Sequence, residues 1–401
     1  MSYEDAAPSF APKAAPHHCS GERMPRIADL YNEILPTRSA HDVYVFRSAV
    51  SLAEAGAHLS LLHGAGGVDE AELHRHYQTQ GGACFRTVRL PILRRSLGSR
   101  FTVNAVFNWA AQIWIRRHRP DWVVLSVIGQ GKFHLARRVP GVRYAYEIHE
   151  LAWYPGQDAT RARVAERISI ERRMLANADV VIVTTGALRE ILRAEPYRLA
   201  TRIEVLPLAA PTLRLPTAAL AEAPLRLAYV GQIYREQGIE LLLQALAQVE
   251  DVELDVIGGR AEQVSVLGER AISLGVGGRV RWHGFVSPAS IREHIFRVDA
   301  FVAPFLAEGR MPYVAHSKLL EYIGWGRPVI APDLPVVREH FDSGGLACFR
   351  AGDASSLAAA IRFVQRLHAR RRLSEEIARN TTCKDWGARG RNYLDILGGA
   401  G

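Results

Sequence analysis

Short apolar runs alternate with longer amphipathic ones along most of this chain. Arg26 to Asn32 predicts a strand, the loop EILPTRSAHD follows, and apolar positions at helical spacing predict a helix from about Val43 to Ala55. Gly56 is placed to end that helix, and a second strand, His58 to Leu62, begins at once. Strand, helix and strand over about 35 residues make a βαβ unit, the start of a Rossmann-like sheet. Trp122 to Ser126, Tyr144 to Ile148 and Val180 to Thr184 are further apolar runs that end in polar residues. Such endings mark the carboxyl edge of a parallel sheet, where ligands bind in doubly wound folds.

The rhythm breaks between about Leu206 and Ala223, where several prolines and no aromatic residue predict a linker. It restarts with the strand Leu225 to Val230, a glycine-led loop, and a helix from Ile239 to Val249. Strands Glu253 to Ile257, Arg279 to His283, Ala300 to Ala303 and Pro328 to Ala331 continue it. The alternation predicts an α/β protein with parallel sheets. The expected division is a disordered tail over 1–24, an amino-terminal Rossmann-like domain over 25–207, a linker over 208–224, a second Rossmann-like domain over 225–380, and a carboxyl-terminal helix over 381–401.

Composition narrows the class. At 401 residues, 48% hydrophobic and 23% charged, the chain has enough sequence for two globular cores, and it contains no apolar run of membrane-spanning length. The first 25 residues are rich in Pro, Ala and Ser and lack the order of a signal peptide. His17, His18 and Cys19 lie in that tail without a partner cluster, so no metal is expected. The four cysteines, Cys19, Cys84, Cys348 and Cys383, form no CxxC pair, which suits reduced thiols and a cytoplasmic location. The net charge of +9 adds a basic surface. Its Arg clusters at 94–95, 116–119, 137–138 and 370–372 have no interleaved aromatic motif, so nucleic acid is not expected as a partner; a solvated face or an anionic membrane leaflet remains.

The densest chemistry lies in residues 304–335, PFLAEGRMPYVAHSKLLEYIGWGRPVIAPDLP. A helix starting near Ser317, with Ser317 as its cap, would aim free amides at an anion. Lys318 stands at its start, and Glu321 lies three residues on, on the same face. A cation with free amides suits a diphosphate, and a carboxylate one turn deeper suits paired sugar hydroxyls. A solvated surface ion pair is the plainer alternative.

Ser317-Lys318-Leu319-Leu320-Glu321-Tyr322, followed by Gly326-Arg327-Pro328-Val329, resembles the donor-site signature of the retaining GT-B glycosyltransferases of family 4. The resemblance implies two Rossmann-like doubly wound domains facing across a cleft, a nucleotide-diphosphate sugar as co-substrate, no other cofactor, and Glu321 on the donor ribose. Where the commoner pattern has a second glutamate, this chain has Tyr313, with Glu308 nearby in the same loop. The loop Gly231-Gln232-Ile233-Tyr234-Arg235-Glu236-Gln237-Gly238 is similar to the family's phosphate loop, but Gln232 and Gln237 replace its two basic residues. That leaves Arg235 and Lys318 to meet the diphosphate. Arg260, after Val256-Ile-Gly-Gly, and Phe285 and Val286, after Trp282-His-Gly, correspond to positions that line the nucleotide base, although tight turns explain the glycines equally well.

In the first half, Glu147-Ile148-His149-Glu150 is similar to the family's Glu-x-His-Asp element. It implies His149 as the cleft histidine with Glu150 beside it; a polar loop residue is the alternative. Ser39-Ala40-His41 resembles the acceptor and phosphate loop after the first strand, and Asp42 is a candidate helix cap. Trp386 to Leu397 looks like the family's closing helix. Together these imply a retaining, metal-independent glycosyltransferase. Its sugar or lipid-linked acceptor would lie at a bacterial inner membrane, in surface polysaccharide or glycolipid assembly. A degraded GT-B scaffold or a nucleotide-sugar 2-epimerase on the same fold are the alternatives.

Overall fold

The computed structural model describes residues 23–37, 40–92, 105–209, 215, 224–286, 290–341, 344–380 and 385–399. Most of the tail, most of the linker, Ser39 and the cysteines at 19 and 383 lie outside these described residues.

The first domain is built on seven strands: β1 (Arg26–Tyr31), β2 (His58–Gly64), β3 (Phe85–Leu90), β4 (Trp122–Leu125), β5 (Arg143–Ile148), β6 (Val180–Val183) and β7 (Ile203–Val205). They pair in parallel in the order β3-β2-β1-β4-β5-β6-β7. The second domain carries β8 (Leu225–Val230), β9 (Val252–Ile257), β10 (Val280–Gly284), β11 (Ala300–Val302), β12 (Val329–Pro332) and β13 (Leu346–Phe349), in the order β10-β9-β8-β11-β12-β13. Helices cover both faces of each sheet, so the central strands are buried on both sides. Hence β4 reads WVVL and β6 reads VVIV with every residue buried. In both sheets the order reverses beside the first strand, between β1 and β4 and between β8 and β11. Loops splay apart at such switch points and leave a crevice at the carboxyl ends.

The helix Ala40–Glu54 starts three residues earlier than its apolar spacing suggested. Asp42 therefore lies inside the first turn. Its carboxylate accepts from the Thr37 amide at 2.7 Å and from the Tyr31 hydroxyl, tying the loop after β1 to the helix.

The last helix, Trp386–Gly398, begins on Asp385, whose side chain accepts from the Ala388 amide at 2.7 Å. It packs on the helix Ala40–Glu54 of the first domain. Gly390 makes that approach possible, since a Cβ there would run into the carbonyl oxygen of Ser51. Tyr393 and Leu397 complete the first-domain core against Ile27, Tyr31, Val45 and Phe46.

Candidate active site

Three loops converge at the carboxyl edge of the second sheet. Gly231, after β8, has φ +146°, and the loop after β9 presses so close that a Cβ on Gly258 would strike the Gly231 carbonyl oxygen. Gly238 has φ +73°, and a Cβ there would strike the Pro304 carbonyl beyond β11. Only glycine fits both demands, a left-handed backbone and no side chain.

The helix Ser317–Trp325 points its amino terminus into this junction. Ser317 is its first helical residue and not its cap. The flanking position is His316, extended at φ −103° and ψ 98°, with no side-chain cap bond. The reason lies in the His316 ring, which stacks on Phe305 with centroids 4.0 Å apart and places Nε2 2.9 Å from the Met311 carbonyl oxygen. Those contacts hold the chain extended until residue 317, and the first amides of the helix are left without a side-chain acceptor. Leu319 is the exception: its amide is given to the His316 carbonyl at 3.0 Å, and its side chain is wholly buried in the core. The Leu319 side chain therefore supports the helix from beneath.

Lys318 lies over the Tyr229 ring, with Nζ 4.2 Å from the centroid. The ammonium donates to the Tyr229 hydroxyl at 2.7 Å and to Oε1 of Gln237. Gln237, which stands where the family has a basic residue, is thus an acceptor for the cation that remains. The Tyr229 hydroxyl also donates to the Gln232 carbonyl at 2.5 Å, which holds the loop down. Burial pushes the Lys318 ammonium down to about 7, with Glu321 pulling the other way. Burial likewise pushes the Glu321 carboxyl up to about 7, opposed by Lys318 and by Arg47 of the first domain. Glu321 is a half-buried carboxylate in a crevice, unlike one partner of a solvated surface pair.

Arg235 and Glu308 form an ion pair at the mouth of the same crevice, both well exposed. Arg260 is exposed where the helix Ala261–Ser273 begins, its amide donating to Gln263 at 3.0 Å. Phe285 stands largely in solvent beyond β10, while Val286 packs partly into the core beneath.

In the first domain, β5 delivers Glu147 and then His149 to the opposite edge. The His149 ring contacts His41 at 5.0 Å and Tyr44 at 4.8 Å between centroids, so the two candidates, His41 and His149, share one cluster. Ala40 is the first residue of the helix that carries His41. Nε2 of His149 lies 3.8 Å from the Glu147 carboxylate, too long for a hydrogen bond but close enough to favour a proton on that nitrogen. Nδ1 is then the ring's acceptor. Burial pushes the His149 imidazole down to about 4 and also lowers that of His41. Glu150 points elsewhere: it pairs with Arg310 of the second domain.

Contacts unmarked by the sequence complete both sites. Arg389, from the last helix, donates to Glu147 at 2.8 Å, to Ser48 at 3.0 Å and to the Tyr44 hydroxyl. Tyr313 stacks on Tyr154 at 5.8 Å, and its carbonyl accepts from Thr185 at 2.6 Å. Where the commoner pattern has a glutamate, this chain therefore has a domain contact. With the Arg310–Glu150 pair and the Gly186 amide donating to Glu339 at 3.3 Å, it joins the carboxyl edges of the two sheets. No local spacing announces such contacts, because each partner lies more than a hundred residues away.

Residues 40–209 match the family model described as glycosyl transferase 4-like domain, and residues 224–366 match glycosyl transferases group 1. No curated protein matches the chain by sequence. Among solved structures, the sucrose-phosphate synthase of Thermosynechococcus elongatus superposes with a TM-score of 0.74 at 20% identity, covering 94% of this chain and 99% of that one. Alr3699/HepE of Anabaena, solved with UDP and glucose, gives 0.66 at 15% identity over 94% and 100%. TarM gives 0.72 at 10% over 94% and 99%. The chain is a glycosyltransferase of the GT-B fold, 4-like in its amino-terminal half and of group 1 in its carboxyl-terminal half.

Proposed function

We propose that this enzyme moves a sugar from a nucleotide-diphosphate sugar to an acceptor with retention of configuration. The carrying observation is the helix Ser317–Trp325, whose uncapped first turn, Lys318 and Glu321 share one crevice facing the first domain. In this reading the amides and Lys318 take the diphosphate, and Glu321 takes the ribose hydroxyls. Lys318 now donates to two neutral oxygens; a diphosphate offers it full counter-charge as the anomeric C–O bond breaks and negative charge gathers on the leaving oxygen. Arg235 joins once its exposed pairing with Glu308 gives way. Protein groups, rather than a metal ion, carry that electrostatic load. The acceptor hydroxyl bonds to the anomeric carbon on the face the phosphate leaves, and its proton passes to the departing phosphate oxygen. Nδ1 of His149 holds a hydroxyl of the transferred sugar. The UDP and glucose held by the Anabaena neighbour support a nucleotide donor.

The basic surface supports an acceptor at an anionic membrane. On the helix Ala105–His118, Ile113 is 64% and Trp109 48% exposed, with Arg116 and Arg117 one turn on. Arg137 lies over the Trp109 ring at 5.8 Å. Exposed aromatic and apolar side chains beside arginines suit a lipid interface. Among the described residues no helix is long and apolar enough to cross a membrane.

The test is a panel of UDP-, GDP- and ADP-sugars offered with membrane glycolipids. At least one donor should stabilise the protein thermally and be consumed with acceptor, and Lys318→Met should weaken both effects. Epimerisation of a donor without acceptor, or no response to any donor, would overturn the reading.

A further inference from the structure

Arg389 and Glu147 form an ion pair that is almost completely buried, each residue 3% exposed, in the first-domain site. The pair joins the helix Trp386–Gly398 to the strand that leads into His149. The Tyr44 hydroxyl donates to the same Glu147 oxygen and accepts from Arg389, and the Tyr44 ring packs edge-on against His149. Arg389 also lies over the rings of Tyr44 and Tyr393, at 5.0 and 5.4 Å. The arginine therefore sits behind Glu147 and Tyr44, and His149 sits in front of them.

We propose that Arg389 is a positioning residue for His149, holding Glu147 and Tyr44 from behind so that the carboxylate neither moves nor draws a second proton onto the imidazole. Without the guanidinium, a buried carboxylate 3.8 Å from Nε2 would have the imidazolium as its best remaining counter-ion. Protonated, the ring would donate from both nitrogens and lose the Nδ1 lone pair that the functional reading gives to a sugar hydroxyl. The titratable groups around His149 are Glu147 on β5, His41 and Tyr44 on the first helix, and Arg389 on the last, with Asp29 of β1 also acting on Glu147's surroundings. Burial disfavours a charge on His149 most strongly, Glu147 favours one, and His41 and Arg389 disfavour one. The site of the first domain is thus completed by the helix Trp386–Gly398.

The inference rests on the proposed transfer reaction for its consequence, but its primary readout does not. The His149 ring protons, assigned with His149→Gln, are titrated by NMR in the wild type, Arg389→Met, Arg389→Lys and Glu147→Gln/Arg389→Met. The midpoint should rise by at least one pH unit in Arg389→Met, stay near the wild-type value in Arg389→Lys, and return in the double variant, which has no carboxylate to balance. If Arg389→Met does not fold, Arg389→Gln, which keeps a hydrogen bond to Glu147 without charge, is read in its place. With a working donor and acceptor, the acid limb of the kcat–pH profile should move up by the same interval as the His149 midpoint in the uncharged variant, while the donor KM changes less than about threefold. A folded Arg389→Met or Arg389→Gln whose His149 titrates as in the wild type would overturn the proposal. A responsive His149 in a protein that transfers no sugar would count against the functional reading alone.

Discussion

Lys318 donates to two neutral oxygens, and the nearest opposite charge on its own helix, Glu321, is itself half-buried. An ammonium so placed is incompletely balanced until an anion arrives, and a carboxylate so placed is incompletely solvated until a hydroxyl arrives. Both groups titrate near 7, the base pushed down and the acid pushed up by burial. Nucleoside-diphosphate affinity should therefore be bell-shaped in pH with its maximum near neutrality. It falls on the acid side as the Glu321 pair takes up a proton and on the alkaline side as the Lys318 pair loses one. Lys318→Met should erase the alkaline limb and Glu321→Gln the acid limb; titrations of a nucleoside diphosphate from pH 5.5 to 8.5 check both. The Lys318–Glu321 spacing was legible in the sequence, because three residues on a helix bring two side chains to one face. The place of Ser317 was not, because a one-residue change of helix phase turns a cap into a first-turn residue. That phase is set by His316 stacking on Phe305, a contact eleven residues apart that local pattern does not reveal.

At the level of elements, the strands with continuous apolar runs were legible to within a residue or two, since β1, β4, β5, β6 and β8 are buried on both faces. The unpredicted strands are β3, β7 and β13, all at sheet edges. β7 has only three residues, and β3 and β13 each have partly exposed positions, so the apolar signal is short or mixed. The donor loop shows how tightly elements meet: Gly238 is left-handed and has the Pro304 carbonyl where a side chain would begin. Gly238→Ala should destabilise the protein by about 1–3 kcal/mol through strain and overpacking, read from the urea midpoint, and should weaken nucleotide binding because Gln237 and Lys318 sit beside the displaced turn. An unchanged midpoint would show that the loops give way more freely than this packing allows.

Across the whole molecule, histidines buried without charge make acid the vulnerable direction. His63, His134 and His149 are pushed down to about 4 by burial, and His316 to about 3. The folded protein binds fewer protons than the unfolded chain at these sites, so their stability contribution is present above about 6.5 and is lost as pH falls towards 4. Asp29, pushed up to about 8, acts in the opposite sense across that whole window, and Glu321 across most of it. With His41 and His74 also lowered, six histidines and the lowered Glu147 stand against five raised carboxyls, counting Glu54, Glu171 and Glu339, which leaves a net loss. Melting temperature should decline from pH 6.5 to 4, and a flat profile would contradict the assignment of these rings as neutral. The assembly of the two domains was only partly legible. Repeated strand–helix rhythm and the donor motif indicated two facing sheets, but the contacts that close them, Arg310 with Glu150, Thr185 with Tyr313 and Arg389 with Glu147, join residues 128 to 242 apart.

The central claim is that Glu321 grips the ribose of a donor nucleotide whose diphosphate lies on the helix start at Lys318. Calorimetric titration of UDP, GDP and ADP into the wild type, Glu321→Ala and His149→Ala tests it most directly. At least one nucleotide should bind the wild type, bind Glu321→Ala more weakly by about 1.5–3 kcal/mol as charge-assisted hydrogen bonds are lost, and bind His149→Ala almost unchanged. Equal affinity in the wild type and a folded Glu321→Ala, or no binding of any of the three to the wild type, would contradict it.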